Sequence, residues 1–273
     1  HIFKTYLPDY VFHAAAYKHV PMMENNPCES IQNNVYGTKI LADLAVKYGV
    51  KKFVMISTDK AVNPTNVMGC SKRICEIYVQ SLNKAVKEGV INGETQFVTT
   101  RFGNVLGSNG SVIPLFKKQI KNGGPVTVTD PNIIRYFMLI PEACELVLEA
   151  GTKGNGGEIF VFDMGKPVKI ADLAQRMINL SGAKNVEIKF TGLRAGEKLY
   201  EEVLNDKESS MPSFNDKIRI AKVREYDYAK VSLKIDELIE KSKLYDEMLT
   251  VMKMKEIVPE YKSNNSIYEK LDK

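Results

Sequence analysis

The chain has 273 residues, 44% hydrophobic and 26% charged, which is typical of a globular protein with one large domain or two interleaved ones. Its net charge of +5 comes from Lys and Arg residues dispersed along the sequence, so we expect no nucleic-acid groove, whereas an anionic small substrate suits the charge. The four cysteines and three histidines lack metal-ligand spacing, which argues against a metal site and predicts reduced thiols.

Short apolar runs alternate with segments of helical periodicity over most of the chain. The spacing predicts strands at 10–14, 52–57, 96–102, 126–129, 158–162 and 186–190. It predicts helices at 27–48, 68–89, 111–122, 141–150, 170–181 and 196–204. Proline in the first turn (Pro27, Pro141) and glycine after the last (Gly49, Gly151) agree with these bounds. The alternation predicts an α/β fold with a parallel sheet covered on both faces.

The composition changes after this alternation. Residues 205–216 are typical of an exposed linker, and a short strand is predicted at 218–221. An amphipathic helix follows, marked by Ile235, Leu238, Ile239 and Leu244.

The chain starts within a pattern, because residues 1–8 are typical of the end of a helix. It contains neither a signal-like segment nor the ~20 apolar residues of a membrane span. We expect a longer protein in which a membrane segment could precede His1. The expected location is cytoplasmic, at the inner membrane if such a segment exists.

Ligands of parallel sheets bind at the carboxyl ends of the strands, which directs attention to the loops there. The first loop contains Ala14, Ala15 and Ala16, followed by Lys18. Three small side chains would let a flat cofactor approach the backbone, and Lys18 could bind a phosphate. Tight packing of strand against helix is the simpler explanation, and this stretch alone favours it.

The second loop carries an unusual group of polar residues. Ser57, Thr58, Asp59 and Lys60 leave the second strand together, and a helix follows. A serine at a strand end before such a helix is typical of short-chain dehydrogenases. The adjacent carboxylate and ammonium make this loop the candidate site of acid–base chemistry.

The helix after this loop has Met68 and Lys72 one turn apart on the same face. In short-chain dehydrogenases the position of Met68 is a tyrosine that takes a substrate proton, while the lysine holds the nicotinamide ribose. The alternative is that Met68 packs in the core and Lys72 is a surface residue.

The third region lies further along the chain. Asn104 is placed to contact a diphosphate or sugar oxygen, and Arg135 to grip a phosphate with two donors. Arg194 and Glu197 lie at a predicted boundary between loop and helix. Turn formation, solvent exposure and helix capping would explain each of these residues without a ligand.

Six stretches of the sequence together resemble one protein family. They are VFHAAAYKHVPMME, NNVYGT, STDKAVNPTNVMGCSKR, RFGNVLGSNGSVIPLF, DPNIIRYF and TGLRAGEKLYEE. In this order they resemble the bacterial polysaccharide-biosynthesis proteins of the CapD, WbpM and PglF type, the UDP-N-acetylglucosamine 4,6-dehydratases. These are extended short-chain dehydrogenases/reductases. The resemblance covers residues 8 to 205 and is weak beyond residue 216.

The resemblance implies a Rossmann-like parallel sheet that lacks its N-terminal strands, with an interleaved smaller substrate-binding domain. Residues 1–104 and 141–163 would form the NAD-binding domain, and residues 105–140 and 164–205 the sugar-nucleotide region. Residues 206–273 would be a linker and a C-terminal extension. A homo-oligomer is expected to form through the helices at 27–48 and 68–89.

The resemblance also assigns ligands and roles to the candidate residues. It places the cofactor NAD against Ala14, Ala15, Ala16, Ser57 and Lys72. It places a UDP-sugar along Lys18, Asn104, Arg135, Arg194 and Glu197. It assigns catalysis to Thr58, Asp59, Lys60, Met68 and Lys72, with methionine in place of tyrosine as in related dehydratases.

The implied reaction is oxidation of the sugar at carbon 4, loss of water across carbons 5 and 6, and hydride return to carbon 6. Lys60, if neutral, would remove the proton of carbon 5, and Asp59, if protonated, would donate one to the hydroxyl of carbon 6. Burial favours these neutral forms, whereas mutual ion pairing opposes them. We therefore predict that the two side chains point to different sugar atoms.

One departure keeps alternatives open. The family binds the cofactor pyrophosphate with a Gly-rich turn between strand and helix, which this chain lacks, so the chain made alone is expected to be inactive and to bind NAD poorly. A UDP-sugar 4-epimerase is a second hypothesis, although it would favour tyrosine at position 68. A third is a non-catalytic remnant that binds nucleotide sugars.

Overall fold

The computed structural model describes residues 1–202, 204, 210–222 and 224–272. The strands are β1 (Tyr10–His13), β2 (Lys52–Ile56), β3 (Gln96–Arg101), β4 (Asn104–Val105), β5 (Val126–Val128), β6 (Ile134–Arg135), β7 (Phe137–Met138), β8 (Ile159–Phe162), β9 (Val168–Lys169), β10 (Ile188–Phe190), β11 (Ser210–Pro212) and β12 (Ile218–Ala221). The α-helices are α1 (Ile2–Tyr6), α2 (Val20–Glu24), α3 (Pro27–Ser30), α4 (Gly37–Lys47), α5 (Val67–Lys87), α6 (Val112–Lys121), α7 (Ile140–Lys153), α8 (Ile170–Ser181), α9 (Tyr228–Ser242) and α10 (Glu247–Ile257). A π-helix (Ile31–Tyr36) joins α3 to α4, and short 3₁₀-helices occur at Asp59–Ala61 and Ile267–Leu271.

The central sheet has the strand order β1-β2-β3-β8-β12-β11. Its first four strands are parallel, which confirms the predicted α/β fold. β12 and β11 are antiparallel to their neighbours, so the sheet is mixed and not wholly parallel. The connection between β11 and β12, residues 213–217, is too short for the crossover that a parallel pair requires.

The sheet is covered on both faces, and successive side chains along a strand point into two different apolar cores. Phe53 of β2 belongs to the main core, together with side chains of α4, α5, α9 and α10. Its neighbour Val54 belongs to a second core with Phe160 of β8 and Ala143 and Leu146 of α7. A third core joins α6 and α8 to β5 and β10 in a smaller unit beside the sheet. The predicted domain boundaries stay a prediction.

Most predicted elements agree with the structure to within a few residues, and α8 has the predicted bounds. The helix predicted at 196–204 is wrong, because the described part of this segment consists of loops and turns. Gly196 has φ of 75°, outside the helical region, and its N–H donates to the carbonyl of Asn264. Gly151 lies inside α7, and Gly154 caps that helix instead. Residues 205–209 of the predicted linker lie outside the described residues, while residues 210–212 form β11.

The C-terminal helices are an integral part of the main core. Val231, Ile235 and Leu238 of α9 and Val251 of α10 share this core with α5, which is buried along nearly its whole length. The chain itself therefore covers much of one helix that was predicted to mediate oligomerisation, and the oligomer stays a prediction. Within the described ranges, none of the helices combines the length and apolarity that a membrane crossing requires.

A buried ionic network connects the sheet to α5. Arg101, at the end of β3, donates two hydrogen bonds to the carboxylate of Glu76, of 2.8 and 2.7 Å. Arg73 donates a third, of 3.0 Å. Burial alone would raise the pKa of Glu76, but the charge and hydrogen bonds of Arg101, supported by Arg73, lower it to about 2. Glu76 is therefore a permanent anion beneath the strand ends.

The start of α5 touches the loop after β2, and Gly69 makes this contact possible. A Cβ atom at Gly69 would lie 2.1 Å from the carbonyl oxygen of Lys60, so Gly69→Ala must displace backbone. We expect it to lower the free energy of unfolding by about 1–3 kcal/mol, the usual cost of overpacking. Gly37→Ala is the matched control, because a Cβ there meets nothing within 4 Å, and alanine in a helix should stabilise by ~0.5–1 kcal/mol. Urea unfolding of both variants measures the difference, and equal shifts would contradict the contact.

Candidate active site

The loop after β2 is fixed by backbone hydrogen bonds to β3 and the residues that follow it. The N–H of Ser57 donates to the carbonyl of Thr100 at 2.7 Å, and the N–H of Asp59 to that of Phe102 at 3.1 Å. The hydroxyl of Thr58 caps the following 3₁₀ turn by accepting from the N–H of Lys60. Three of the predicted catalytic residues therefore leave the sheet on a rigid support.

Lys60 and Asp59 form an ion pair in this turn. Lys60 Nζ lies 2.9 Å from Asp59 Oδ1, and the hydroxyl of Thr58 donates to the same oxygen at 2.8 Å. Lys60 Nζ also donates to Asn104 Oδ1 at 3.4 Å. Burial opposes the charge of Lys60, but Asp59 and then Glu201 outweigh it and raise the pKa of Lys60.

This pairing corrects two sequence-based predictions. Asp59 and Lys60 were expected to point to different sugar atoms, and burial to favour a neutral Lys60; in the structure the two side chains point to each other, and the charge of Asp59 raises the pKa of Lys60. The reason is the burial of Asp59, whose side chain is fully inaccessible. A buried carboxylate needs a counter-ion, and the ammonium of the next residue is within reach.

Arg135 links this pair to the segment that follows β10. Its Nε lies 3.8 Å from Glu201 Oε1, and its Nη2 lies 3.5 Å from Glu197 Oε1. Its guanidinium also donates to the carbonyls of Ile134 and Lys198, at 2.7 and 2.8 Å. Protein groups thus engage the donors that were predicted to grip a phosphate, and phosphate binding by Arg135 stays a prediction.

The other predicted substrate residues lie at more open positions. Arg194 has a side chain that is 58% exposed and pairs with Glu197 at 3.5 Å. Asn104 donates its amide to the carbonyl of Tyr136 at 3.1 Å. A continuous series of contacts therefore connects these residues, in the order Asn104, Lys60, Glu201, Arg135, Glu197 and Arg194. Lys18 lies apart from this chain of contacts and donates to Ser108 Oγ at 3.3 Å.

The residues predicted to contact the cofactor follow β1 (Ala14, Ala15 and Ala16), follow β2 (Ser57) or lie on α5 (Lys72). Ala14 and Ala15 are exposed and Ala16 is half-buried. The hydroxyl of Ser57 donates to Glu76 Oε1 at 2.7 Å. Lys72 is buried, and no hydrogen bond joins its Nζ to a described residue; burial lowers its pKa, although Cys75 and Glu76 act in the opposite direction.

These residues fit a nicotinamide nucleotide. The Lys72 residue is 5% exposed, and its Nζ, which no described residue hydrogen-bonds, can donate to ribose hydroxyls. The exposed small side chains of Ala14 and Ala15 leave the adjacent backbone accessible. The site thus offers Lys72 as the group that would hold a ribose.

Met68 lies in the main apolar core and is 3% exposed. Its thioether cannot exchange protons, so Met68 offers this site no acid–base group. A direct part for Met68 in catalysis stays a prediction.

Sequence reasoning missed three residues that organise the site. Glu201 is buried beside Lys60 and Arg135, and its only signal was the pair of glutamates that ends the TGLRAGEKLYEE stretch. Asn34, within the NNVYGT stretch, accepts from the N–H of Tyr17 and donates to its carbonyl, at 2.7 and 3.0 Å. Glu76 lies one turn after Lys72 on α5, a spacing that could have indicated its orientation toward the strand ends.

Solved structures share this fold. The X-ray structure of Pen from Bacillus thuringiensis matches with a TM-score of 0.71 and 38% identity, covering 78% of the chain and 66% of Pen. A UDP-glucose 4-epimerase from Thermus thermophilus, solved in complex with NAD, matches with a TM-score of 0.64 and 20% identity, covering 74% of the chain and 71% of that protein.

Sequence relatives identify the family. The capsular polysaccharide biosynthesis protein CapD of Staphylococcus aureus is 57% identical over 240 residues, which are 87% of the chain but only 39% of CapD. A UDP-glucose 4-epimerase of Rickettsia canadensis is 44% identical over 200 residues, which are 73% of the chain and 57% of the epimerase. Residues 1–223 match the family described as polysaccharide biosynthesis protein. The chain therefore belongs to the polysaccharide biosynthesis protein family.

Proposed function

We propose that this chain carries the substrate site and acid–base groups of an NAD-dependent UDP-N-acetylglucosamine 4,6-dehydratase, a hydro-lyase that serves the synthesis of a surface polysaccharide. The product is UDP-2-acetamido-2,6-dideoxy-4-hexulose. The observation that carries the proposal is the buried Asp59–Lys60 pair at the end of β2, hydrogen-bonded to Thr58. An elimination of water needs a proton donor and a proton acceptor close together, and in this pair a carboxyl group and an amine lie 2.9 Å apart.

Relatives support the cofactor and the substrate class. The Thermus thermophilus epimerase was solved with NAD, and the Rickettsia relative is named for a UDP-sugar. The nicotinamide, when bound, supplies reversible oxidation at carbon 4 and reduction at carbon 6. In this chain Lys72 holds the ribose, while Ser57, oriented by its bond to Glu76, offers its oxygen lone pairs to the ligands.

The UDP-sugar lies along the open side of the charged cluster. Arg194 and Lys18 are the cations that would bind the two phosphates. Asn104 and Glu197 present an amide and a carboxylate that can hydrogen-bond the sugar hydroxyls. Such an arrangement directs the hexose toward Lys60, which already contacts Asn104.

The chemistry requires a proton shift within the ion pair. Lys60 and Asp59 share one proton across 2.9 Å, and moving it to Asp59 gives a neutral amine and a carboxylic acid. Low polarity favours the neutral pair over the ionic one, so substrate that excludes water from the site promotes this shift. The amine of Lys60 then accepts the proton that oxidation at carbon 4 releases, and Asp59 protonates the hydroxyl that leaves carbon 6.

An epimerase is the second candidate, and the 44% identity to the Rickettsia relative favours it. Epimerisation inverts carbon 4 without removing the carbon 5 proton or the carbon 6 hydroxyl. It needs one group that takes and returns the hydroxyl proton of carbon 4, so it leaves the second member of an acid–base pair without a function.

Product analysis distinguishes the candidates. The complete protein, incubated with NAD⁺ and UDP-N-acetylglucosamine, should give a product lighter by one water in mass spectrometry. An epimer of unchanged mass would contradict the dehydratase and support the second candidate. If the substrate is unchanged although the UDP-sugar binds tightly, the result would support the third hypothesis, a non-catalytic protein that binds nucleotide sugars.

The Lys60→Arg variant tests whether Lys60 must lose its proton. Arginine keeps the charge beside Asp59 but cannot be deprotonated in a protein. We expect turnover to fall ~10²–10⁴-fold, the usual contribution of a general base, while the thermal unfolding midpoint stays close to that of the wild type. Lys84→Arg, at a half-buried position of α5 outside the candidate site, is the control and should retain normal turnover. Normal turnover in Lys60→Arg would exclude Lys60 as the base.

A further inference from the structure

Glu201 is a buried carboxylate whose surroundings do not satisfy it. It is 8% exposed, and its Oε1 lies 3.8 Å from both Lys60 Nζ and Arg135 Nε. Its Oε2 is buried and has no hydrogen-bond partner among the described residues. Leaving such an oxygen unpaired is costly, so the arrangement must serve a state in which the oxygen gains a proton or a donor.

The charges around Glu201 allow it to bind a proton reversibly. Burial raises its pKa most; Lys60 lowers it, Asp59 raises it, and Arg135 and Lys198 lower it again, with a net shift upward. Asp59 has a matching feature, because its Oδ2 is also buried and unpartnered among the described residues. Lys60 thus lies between two carboxylates that each keep one oxygen unoccupied.

A proton count for the proposed reaction shows why a third group is needed. Oxidation at carbon 4 releases a hydroxyl proton, and elimination removes a second proton from carbon 5. One proton leaves in the water formed at carbon 6, and one returns to carbon 5 at the end. The Asp59–Lys60 pair holds one proton at rest, so it can accept only one more.

The proton released by oxidation at carbon 4 occupies the one free proton-binding position of the Asp59–Lys60 pair before elimination starts. The carbon 5 proton must then be taken up before, or as, the hydroxyl leaves, while Asp59 still holds the proton that the hydroxyl requires. With Lys60 charged and Asp59 protonated, the pair has no acceptor left. Met68 cannot supply one, because its thioether does not exchange protons.

We propose that Glu201 is the third acid–base group of the site, which takes the proton of Lys60 as Lys60 accepts the one from carbon 5. Glu201 returns it through Lys60 when carbon 5 is protonated at the end. Glu201 acts through Lys60 and is not itself in contact with the sugar. The inference rests on the proposed dehydratase function.

Glu201→Gln in the complete protein removes the proton acceptor but keeps the size and polarity of the side chain. We expect formation of the dehydrated product to fall ~10²–10⁴-fold. Oxidation at carbon 4 should persist, because the Asp59–Lys60 pair can still accept the proton that this step releases. The variant should therefore accumulate the absorbance of reduced nicotinamide after substrate is added. Glu202→Gln is the matched control, because Glu202 is an exposed neighbour paired with Lys198, and it should behave as the wild type.

The pH profile separates proton transfer from a structural role. Glu201 must be ionised to accept a proton, so kcat of the wild type should decline as the pH falls through the raised pKa of Glu201. Glu201→Gln should lack this acidic limb, and Glu201→Asp, which restores a carboxyl group, should regain it. Both variants keep the charged neighbours of Glu201, which are Lys60, Asp59, Arg135 and Lys198. Any part of the pH profile that these neighbours cause should therefore remain in both variants.

Each outcome has a defined meaning. Normal turnover in Glu201→Gln would overturn the inference, and so would an unchanged acidic limb, whatever the loss of rate. Equal loss of carbon 4 oxidation and of product would also overturn it, since Glu201 would then only support the fold. If the wild type itself forms no dehydrated product, the proposed function is contradicted. That conclusion comes from the wild type alone and does not depend on the variants.

Discussion

The buried ion pair of Glu76 and Arg101 is the constraint on which the site depends. It joins α5 to the end of β3, and its carboxylate also binds Arg73 and the hydroxyl of Ser57. Removing one partner of such a pair typically costs about 3–5 kcal/mol, because a charge is left uncompensated in the interior. The pair therefore fixes the rotation of α5, which places Lys72 near the strand ends, and it orients Ser57 in the adjacent loop.

The same requirement, that buried charges be compensated, shapes the candidate catalytic cluster. Asp59 is compensated by Lys60, Lys60 by Asp59 and Glu201, and Arg135 by Glu197 and Glu201. Unlike the network around Glu76, this cluster keeps buried oxygens without partners. One network is saturated and holds the fold, whereas the other has free proton-binding capacity. That difference is the physical basis for assigning acid–base chemistry to the second.

The sequence predicted what depends on local pattern. The strand runs, the helix at 170–181 and the loop that carries Asp59 and Lys60 follow from periodicity and strand ends. Local pattern did not predict the burial that forces these two side chains together, and it did not predict Glu201, which the fold brings to Lys60 from a distant segment. The false helix at 196–204 has a similar cause, since a tertiary hydrogen bond and the left-handed φ of Gly196 override helix-forming residues.

The central claim is that this site removes and returns the proton on carbon 5 of the sugar. The most direct measurement is the reaction of the complete protein with NAD⁺ and UDP-N-acetylglucosamine in heavy water, followed by NMR of the purified product. Exchange of the proton on Lys60 with solvent predicts a product that carries deuterium at carbon 5. A dehydrated product without deuterium at carbon 5 would contradict the account, because the proton would then never have reached the side chains of the cluster.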